Sequence, residues 1–205
     1  MTDNASSGMC HLLKLARDRP EQDLGLLLER YRSYLELLAQ LQIGRRLQGK
    51  VDASDIVQET FLEVHRHFSR FRGETEAEFV AWLRQILAAN LALLIRRYLG
   101  TQRRDVRLER ELANGLDESS QLLDRGLVAG TSSPSKHAVR REQAVALAEA
   151  LGRLPPTYRE VLILRHFDGL SFPEVARRLE RSIDSVKNIW ARALGRLRRS
   201  IGEAP

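Results

Sequence analysis

Apolar residues in this chain return at spacings of three and four and never alternate long enough to make a strand, so the chain is expected to fold as packed helices. The pattern predicts helices over about Leu24–Leu41, Ala53–Ser69, Glu76–Leu99, Val139–Leu151, Tyr158–Phe167, Phe172–Leu179 and Ile183–Ile201. They fall into two groups. Residues 99–157 contain no Phe, Trp or Tyr, and Gly115, Gly126, Gly130 and the run Thr131-Ser132-Ser133-Pro134-Ser135 interrupt any continuous helix. The expected architecture is therefore all-α: two small helical domains joined by a flexible linker, the second domain a helix-turn-helix. The expected bounds are an N-terminal segment 1–21, a first domain 22–100, a linker 101–137 with a partial helix around Val106–Leu112, and a second domain 138–205. A length of 205 residues suffices for two such cores.

With 33 Lys and Arg against 27 Asp and Glu, the net charge of +6 discriminates little, but its placement does. From Arg177 to Arg199 stand eight basic residues, Arg177, Arg178, Arg181, Lys187, Arg192, Arg196, Arg198 and Arg199, against Glu180 and Asp184. That surplus on one short segment suits a nucleic-acid partner. No apolar run approaches the roughly 18 residues that span a bilayer, and the N-terminus has neither the apolar core nor the cleavage site of a signal peptide. A cytoplasmic protein without membrane insertion is expected. Cys10 is the only cysteine, which excludes an intramolecular disulfide and a Cys-based zinc site. The five histidines show no HExxH spacing and no phosphate-binding GKS/T string occurs. No enzyme activity, cofactor or metal is expected.

In the second domain Ser171 is placed to cap a helix beginning at Phe172, with Glu174 three residues on to complete a capping box and Pro173 tolerated in the first turn. Asp168-Gly169 ends the helix before it, and Glu180-Arg181-Ser182 separates it from the last one. On that last helix Ile183, Val186, Trp190, Ala193, Leu194, Leu197 and Ile201 share an arc of about 100°, the inward face. Asp184, Ser185, Asn188, Arg192, Arg196 and Arg199 lie opposite, with Lys187 at the border; such donors and cations can read base edges and grip phosphates.

These residues carry a family resemblance. Leu154-Pro155-Pro156-Thr157-Tyr158-Arg159-Glu160-Val161, Leu164-Arg165, Asp168-Gly169-Leu170-Ser171, Glu174-Val175-Ala176, Ser185-Val186-Lys187 and Arg192-Ala193 resemble region 4 of the sigma-70 family, closest to its extracytoplasmic-function (ECF) group. The resemblance implies binding of the promoter −35 element and of the polymerase β flap. It assigns −35 contacts to Ser185, Lys187, Asn188, Arg192 and Arg196. Ile189-Trp190 stands where Arg-Leu is common in the family.

In the first domain Asp52 can cap a helix whose inward face is Ile56, Val57, Thr60, Phe61, Val64 and Phe68. Asp55, Gln58, Glu59, Leu62 and Arg66 share the opposite ridge, where carboxylates around a central leucine suit a basic helical partner. The string Asp52-Ala53-Ser54-Asp55-Ile56-Val57-Gln58-Glu59-Thr60-Phe61 resembles region 2.2 of ECF factors, which implies docking of Asp55, Gln58, Glu59 and Leu62 on the polymerase β′ clamp. Phe71-Arg72-Gly73, Trp82-Leu83, Ile86, Asn90 and Arg96-Arg97 resemble regions 2.3 and 2.4, which hold the non-template strand of the −10 element. This resemblance makes Phe71 and Asn90 the expected pocket for a flipped base, assisted by Arg72, Trp82, Arg96 and Arg97, with Arg70, Arg103 and Arg104 as further phosphate contacts.

The resemblance covers roughly residues 22–100 and 138–200. It implies a dissociable subunit of RNA polymerase that binds core polymerase and promoter DNA, with the linker crossing the core enzyme, and it leaves room for a restraining anti-sigma protein. A free-standing helix-turn-helix regulator would account for the second domain and leave the Asp55 ridge and the Phe71 turn without a purpose. A nucleic-acid hydrolase has still less in its favour.

Overall fold

The computed structural model describes residues 3–46, 52–99, 106–125 and 137–202, and among these residues there are helices and no strand. In chain order they are α1 (Asp3–Asp18), α2 (Pro20–Arg30), α3 (Arg32–Arg46), α4 (Ala53–His67), α5 (Glu76–Leu99), α6 (Val106–Arg125), α7 (His137–Gly152), α8 (Pro156–His166), α9 (Phe172–Arg178) and α10 (Ile183–Gly202), with a 3₁₀ turn at Phe68–Arg70. The all-α class is as expected.

Local chemistry explains several of the boundaries. Pro20 disfavours helical geometry at Arg19, which sits at φ −138° and ψ 66°, so α1 stops and α2 starts there with proline in its first turn. The single helix expected over Leu24–Leu41 is broken at Tyr31, whose fully buried ring packs edge-on to Phe79 at 5.9 Å while its hydroxyl donates to Glu76 at 2.8 Å. A tertiary anchor thus overrides a periodicity that runs through the break unaltered. Asp52 caps α4, accepting the Ser54 N–H at 2.9 Å, as the sequence indicates.

At the centre of the first bundle lies α5, covered by α1, α3, α4 and α6. It is the one helix among the described residues long and apolar enough to cross a membrane, which corrects the expectation that no segment approaches that length. Phe79, Val80, Leu83, Leu87, Leu91 and Ala92 of this helix are fully buried within the protein, whereas Leu93 is exposed. Arg84 interrupts the run and bonds to Asp117 and Tyr34 at 2.8 and 3.2 Å.

Two segments differ from expectation. No helix is expected before Leu24, yet α1 forms and buries Leu13 and Ala16. Of the expected flexible linker, residues 106–125 form the 20-residue α6 rather than a short helix around Val106–Leu112. Leu112, Leu116 and Leu123 are buried against α3, α5 and α7, each worth about 1.5–3 kcal/mol of burial, and Ser120 accepts a hydrogen bond from Tyr34 at 2.9 Å. Aliphatic side chains at helical spacing, joined to small residues that permit close approach, anchor a helix without any aromatic residue. The glycine-rich run 126–136 and residues 101–105 lie outside the described residues.

Candidate nucleic-acid interface

Three exposed surfaces arise on this scaffold. The first is the ridge of α4. Ile56, Val57, Thr60 and Val64 are buried as the periodicity requires, which leaves Asp55, Gln58, Glu59 and Leu62 exposed on the other side. Leu62 is 46% exposed amid these polar neighbours, an apolar contact point in an acidic frame.

The second surface is the turn between α4 and α5. Phe71 stacks on Trp82 with centroids 4.8 Å apart and lies 5.6 Å from Phe79 and 6.3 Å from Phe68, so the ring belongs to an aromatic cluster and is half-buried. A Cβ on Gly73 would collide with Phe71 Cζ and come within 2.8 Å of Glu78 Cβ, so the ring rests directly on the Gly73 backbone and only glycine fits. Glu78 closes a capping box at the start of α5: its carboxylate accepts the N–H groups of Glu74 and Thr75 at 2.9 Å and the Thr75 hydroxyl at 2.8 Å. These bonds, that of the Thr75 hydroxyl first, hold its pKa below the ordinary carboxylate value. From the other side, Arg17 of α1 donates to the Gly73 carbonyl and places its guanidinium 5.8 Å from the centre of the Phe71 ring.

The remaining first-domain residues distribute along α5. Asn90 is eight residues beyond Trp82, about 12 Å along the helix axis, and its amide donates to Thr60 Oγ1 of α4 at 3.2 Å. Trp82, on which Phe71 stacks, and Asn90 are therefore about two turns apart along α5, and Asn90 makes a structural bond that engages its amide. Arg97 is exposed. Arg96 is half-buried and pairs with Glu109 of α6 at 3.5 Å. Arg72 is exposed and donates to the Ser69 carbonyl at 3.0 Å, and Arg70 is exposed beside it. Arg103 and Arg104 lie outside the described residues.

The third surface is the helix-turn-helix. Glu174 accepts the Ser171 N–H at 2.7 Å and its hydroxyl at 2.6 Å, which anchors the start of α9. Gly169 at φ +70° turns the chain out of α8, and Glu180 takes φ 52° in the tight turn before α10. Ser182 receives the Ser185 N–H at 3.2 Å at the head of α10. Val186, Ala193, Leu194 and Leu197 are buried, so Lys187, Asn188, Arg192 and Arg196 are presented to solvent, with Ser185 half-buried beside them. Arg196 also lies over the Tyr158 ring at 5.1 Å. Ile189-Trp190 is turned toward α8 and α9: the Trp190 indole N–H donates to His166 Nε2 at 3.0 Å and its ring meets Phe172 edge-on at 5.5 Å.

Arg17 and Thr75-Glu78 are further residues of the loop site, beyond those expected from sequence. The Thr75-Glu78 pair has a legible signal, threonine followed three residues later by glutamate before an apolar helix. Arg17 has none, since its partner lies 56 residues away in the chain. Among the described residues no group of His, Cys, Asp and Glu is placed to hold a metal ion.

Residues 30–104 match the family model for sigma-70 region 2, and residues 144–197 match that for sigma-70 region 4. The two spans contain the α4 ridge, the Phe71 turn and α5 in one case and the helix-turn-helix in the other. Among similar proteins, the ECF RNA polymerase sigma factor BldN of Streptomyces coelicolor is 26% identical over 96% of this chain and 67% of its own length. The ECF RNA polymerase sigma-E factor of Haemophilus influenzae is 26% identical over 89% of each chain. The RNA polymerase sigma-H factor of Pseudomonas aeruginosa is 29% identical over 74% of each. With both regions present in order, on surfaces built as described, the chain belongs to the ECF group of the sigma-70 family, whose regions 2 and 4 mediate polymerase binding and promoter recognition.

Proposed function

We propose that the three surfaces divide the work of a sigma factor among named residues. The α4 ridge, Asp55, Gln58, Glu59 and Leu62, docks on a basic helical surface of the polymerase β′ clamp. Phe71, Arg72, Trp82, Asn90, Arg96 and Arg97 receive the melted −10 strand, aromatic stacking being worth about 1–3 kcal/mol per base, comparable to the few kcal/mol that unstacking costs. Ser185, Lys187, Asn188, Arg192 and Arg196 of α10 read duplex −35 DNA, and the domain around them meets the β flap. The chain acts in the cytoplasm and performs no chemistry of its own; nucleotide addition belongs to the polymerase. Control by an anti-sigma protein is part of this reading and is checked by co-purification from cells.

The observation that supports it most is the exposed acidic ridge with Leu62 at its centre, because a helix-turn-helix by itself serves many regulators. The test is run-off transcription with core polymerase and a genomic promoter library, with and without the protein. Specific start sites that need the protein are expected, and none would favour a free-standing regulator. Replacing Asp55, Gln58 and Glu59 by Ala should weaken core binding in a direct titration without lowering the melting temperature. Lys187→Ala and Arg192→Ala should each reduce −35-dependent transcription and flatten its salt dependence; unchanged promoter footprints in both would remove α10 from the −35 role.

A further inference from the structure

We infer that Arg17, on a helix outside both family regions, is a positioning residue for the −10 loop. This rests on the reading above that the Phe71 loop receives −10 DNA. The loop 71–75 is held from two sides. On one, the Glu78 carboxylate gathers the Glu74 and Thr75 amides and the Thr75 hydroxyl and ties them to α5. On the other, Arg17 binds the Gly73 carbonyl and lies 5.8 Å from the centre of the Phe71 ring. Because the ring rests against Gly73 with no space for a Cβ, the backbone and the aromatic face move together, and whatever holds the Gly73 carbonyl also sets the pose of Phe71.

Arginine suits the place. Its planar guanidinium donates in plane to a carbonyl while its face covers an aromatic ring, and lysine can supply only the charge and a donor. The helix that carries it is anchored by Leu13 at 2% and Ala16 at 0% exposure, whereas Arg17 itself is exposed. Truncating Arg17 therefore removes one hold on the loop, with the Glu78 bonds and the stack of Phe71 on Trp82 remaining, and leaves no core cavity. Base capture needs the ring already in place when the strand melts, and a loop pinned at one end only would have to be ordered at the moment of opening.

The experiment uses holoenzyme reconstituted with core polymerase, and a promoter fragment taken from the run-off library with 2-aminopurine in its −10 non-template strand. Arg17→Ala should lower promoter opening roughly fivefold, the factor a single hydrogen bond controls, with core affinity and melting temperature unchanged. Arg17→Lys should recover part of the loss. Amide exchange at Glu74 and Thr75 should quicken in Arg17→Ala. In a Phe71→Leu background, Arg17→Ala should add no further loss. Normal opening in Arg17→Ala while Phe71→Leu is impaired would overturn the inference and leave the loop reading intact. An equal additional loss in the Phe71→Leu background would also overturn it, because Arg17 would then act on DNA directly. Normal opening in Phe71→Leu would instead remove the loop reading on which the inference stands.

Discussion

Trp190 shows how one large side chain can be absorbed without disturbing the exposed face around it. Its indole N–H needs an unprotonated acceptor, and His166 Nε2 supplies one at 3.0 Å. Burial, and after it the positive charge of Arg165, push the His166 pKa below 6.5. The unfolded chain then binds more protons than the folded one as pH falls below 6.5, so stability is full above that value and declines through the lowered folded pKa. Melting temperatures between pH 7.5 and 5.5 should fall on the acid side in the native protein, and His166→Gln should reduce that fall; identical slopes would show that His166 is not involved. Trp190→Phe should cost about 1 kcal/mol for the lost bond, read by denaturant unfolding. Among single residues, Asp55, Gln58, Glu59 and Leu62 of α4 and Lys187, Asn188, Arg192 and Arg196 of α10 were readable as exposed from helical phase, whereas Ile183 and Ile201, which phase places inward, are exposed near the ends of α10. Asn90 was not: a polar residue on an apolar stripe reads as a site or as a core hydrogen bond, and only the position of Thr60 shows that its amide is engaged.

Among the helices, α6 is the clearest difference between pattern and structure. Its leucines recur at helical spacing, but three glycines nearby and the lack of aromatic residues make the segment read as linker. The helix is held by contacts distant in sequence, Arg84 with Asp117, Tyr34 with Ser120 and Arg96 with Glu109. Most of a protein helix's stability comes from packing of its apolar face, so the neighbours of α6 decide whether it forms. Leu116→Ala, at a fully buried site, should destabilise the protein by about 2–5 kcal/mol and expose α6 to protease. A cost below 1 kcal/mol in urea unfolding would indicate that α6 spends little time docked. The same helix shelters Arg96, so Glu109→Ala should leave that guanidinium more exposed and raise affinity for single-stranded DNA, measured by anisotropy at low salt. The α1 segment hid for a related reason: its apolar residues make one short stripe whose worth depends on the groove that receives it.

Across the whole molecule, α7 packs on both α3 and α6 and also on α10, and one buried cluster runs from Leu13 to Leu197 beside a smaller one of Val161, Leu164, Val175, Ala176 and Val186 in the helix-turn-helix. Arg30 and Glu142 add an ion pair at 3.2 Å between α2 and α7, half-exposed and worth little. With the core shared in this way, calorimetry should show one cooperative transition, and Leu116→Ala should split it into two. Two transitions in the native protein would mean that the regions unfold independently. Helical phase, capping residues and the two family strings were legible from sequence because each depends on neighbours within one or two turns. The break at Tyr31, the docking of α1 and α6, the pinning of Phe71 by Arg17 and the engagement of Asn90 were decided only in the tertiary structure. The bonds of Tyr31 to Glu76, Asn90 to Thr60, Arg17 to Gly73 and Tyr34 to Ser120 join residues about 30 to 90 positions apart, and local periodicity carries no information about which surface a side chain will meet.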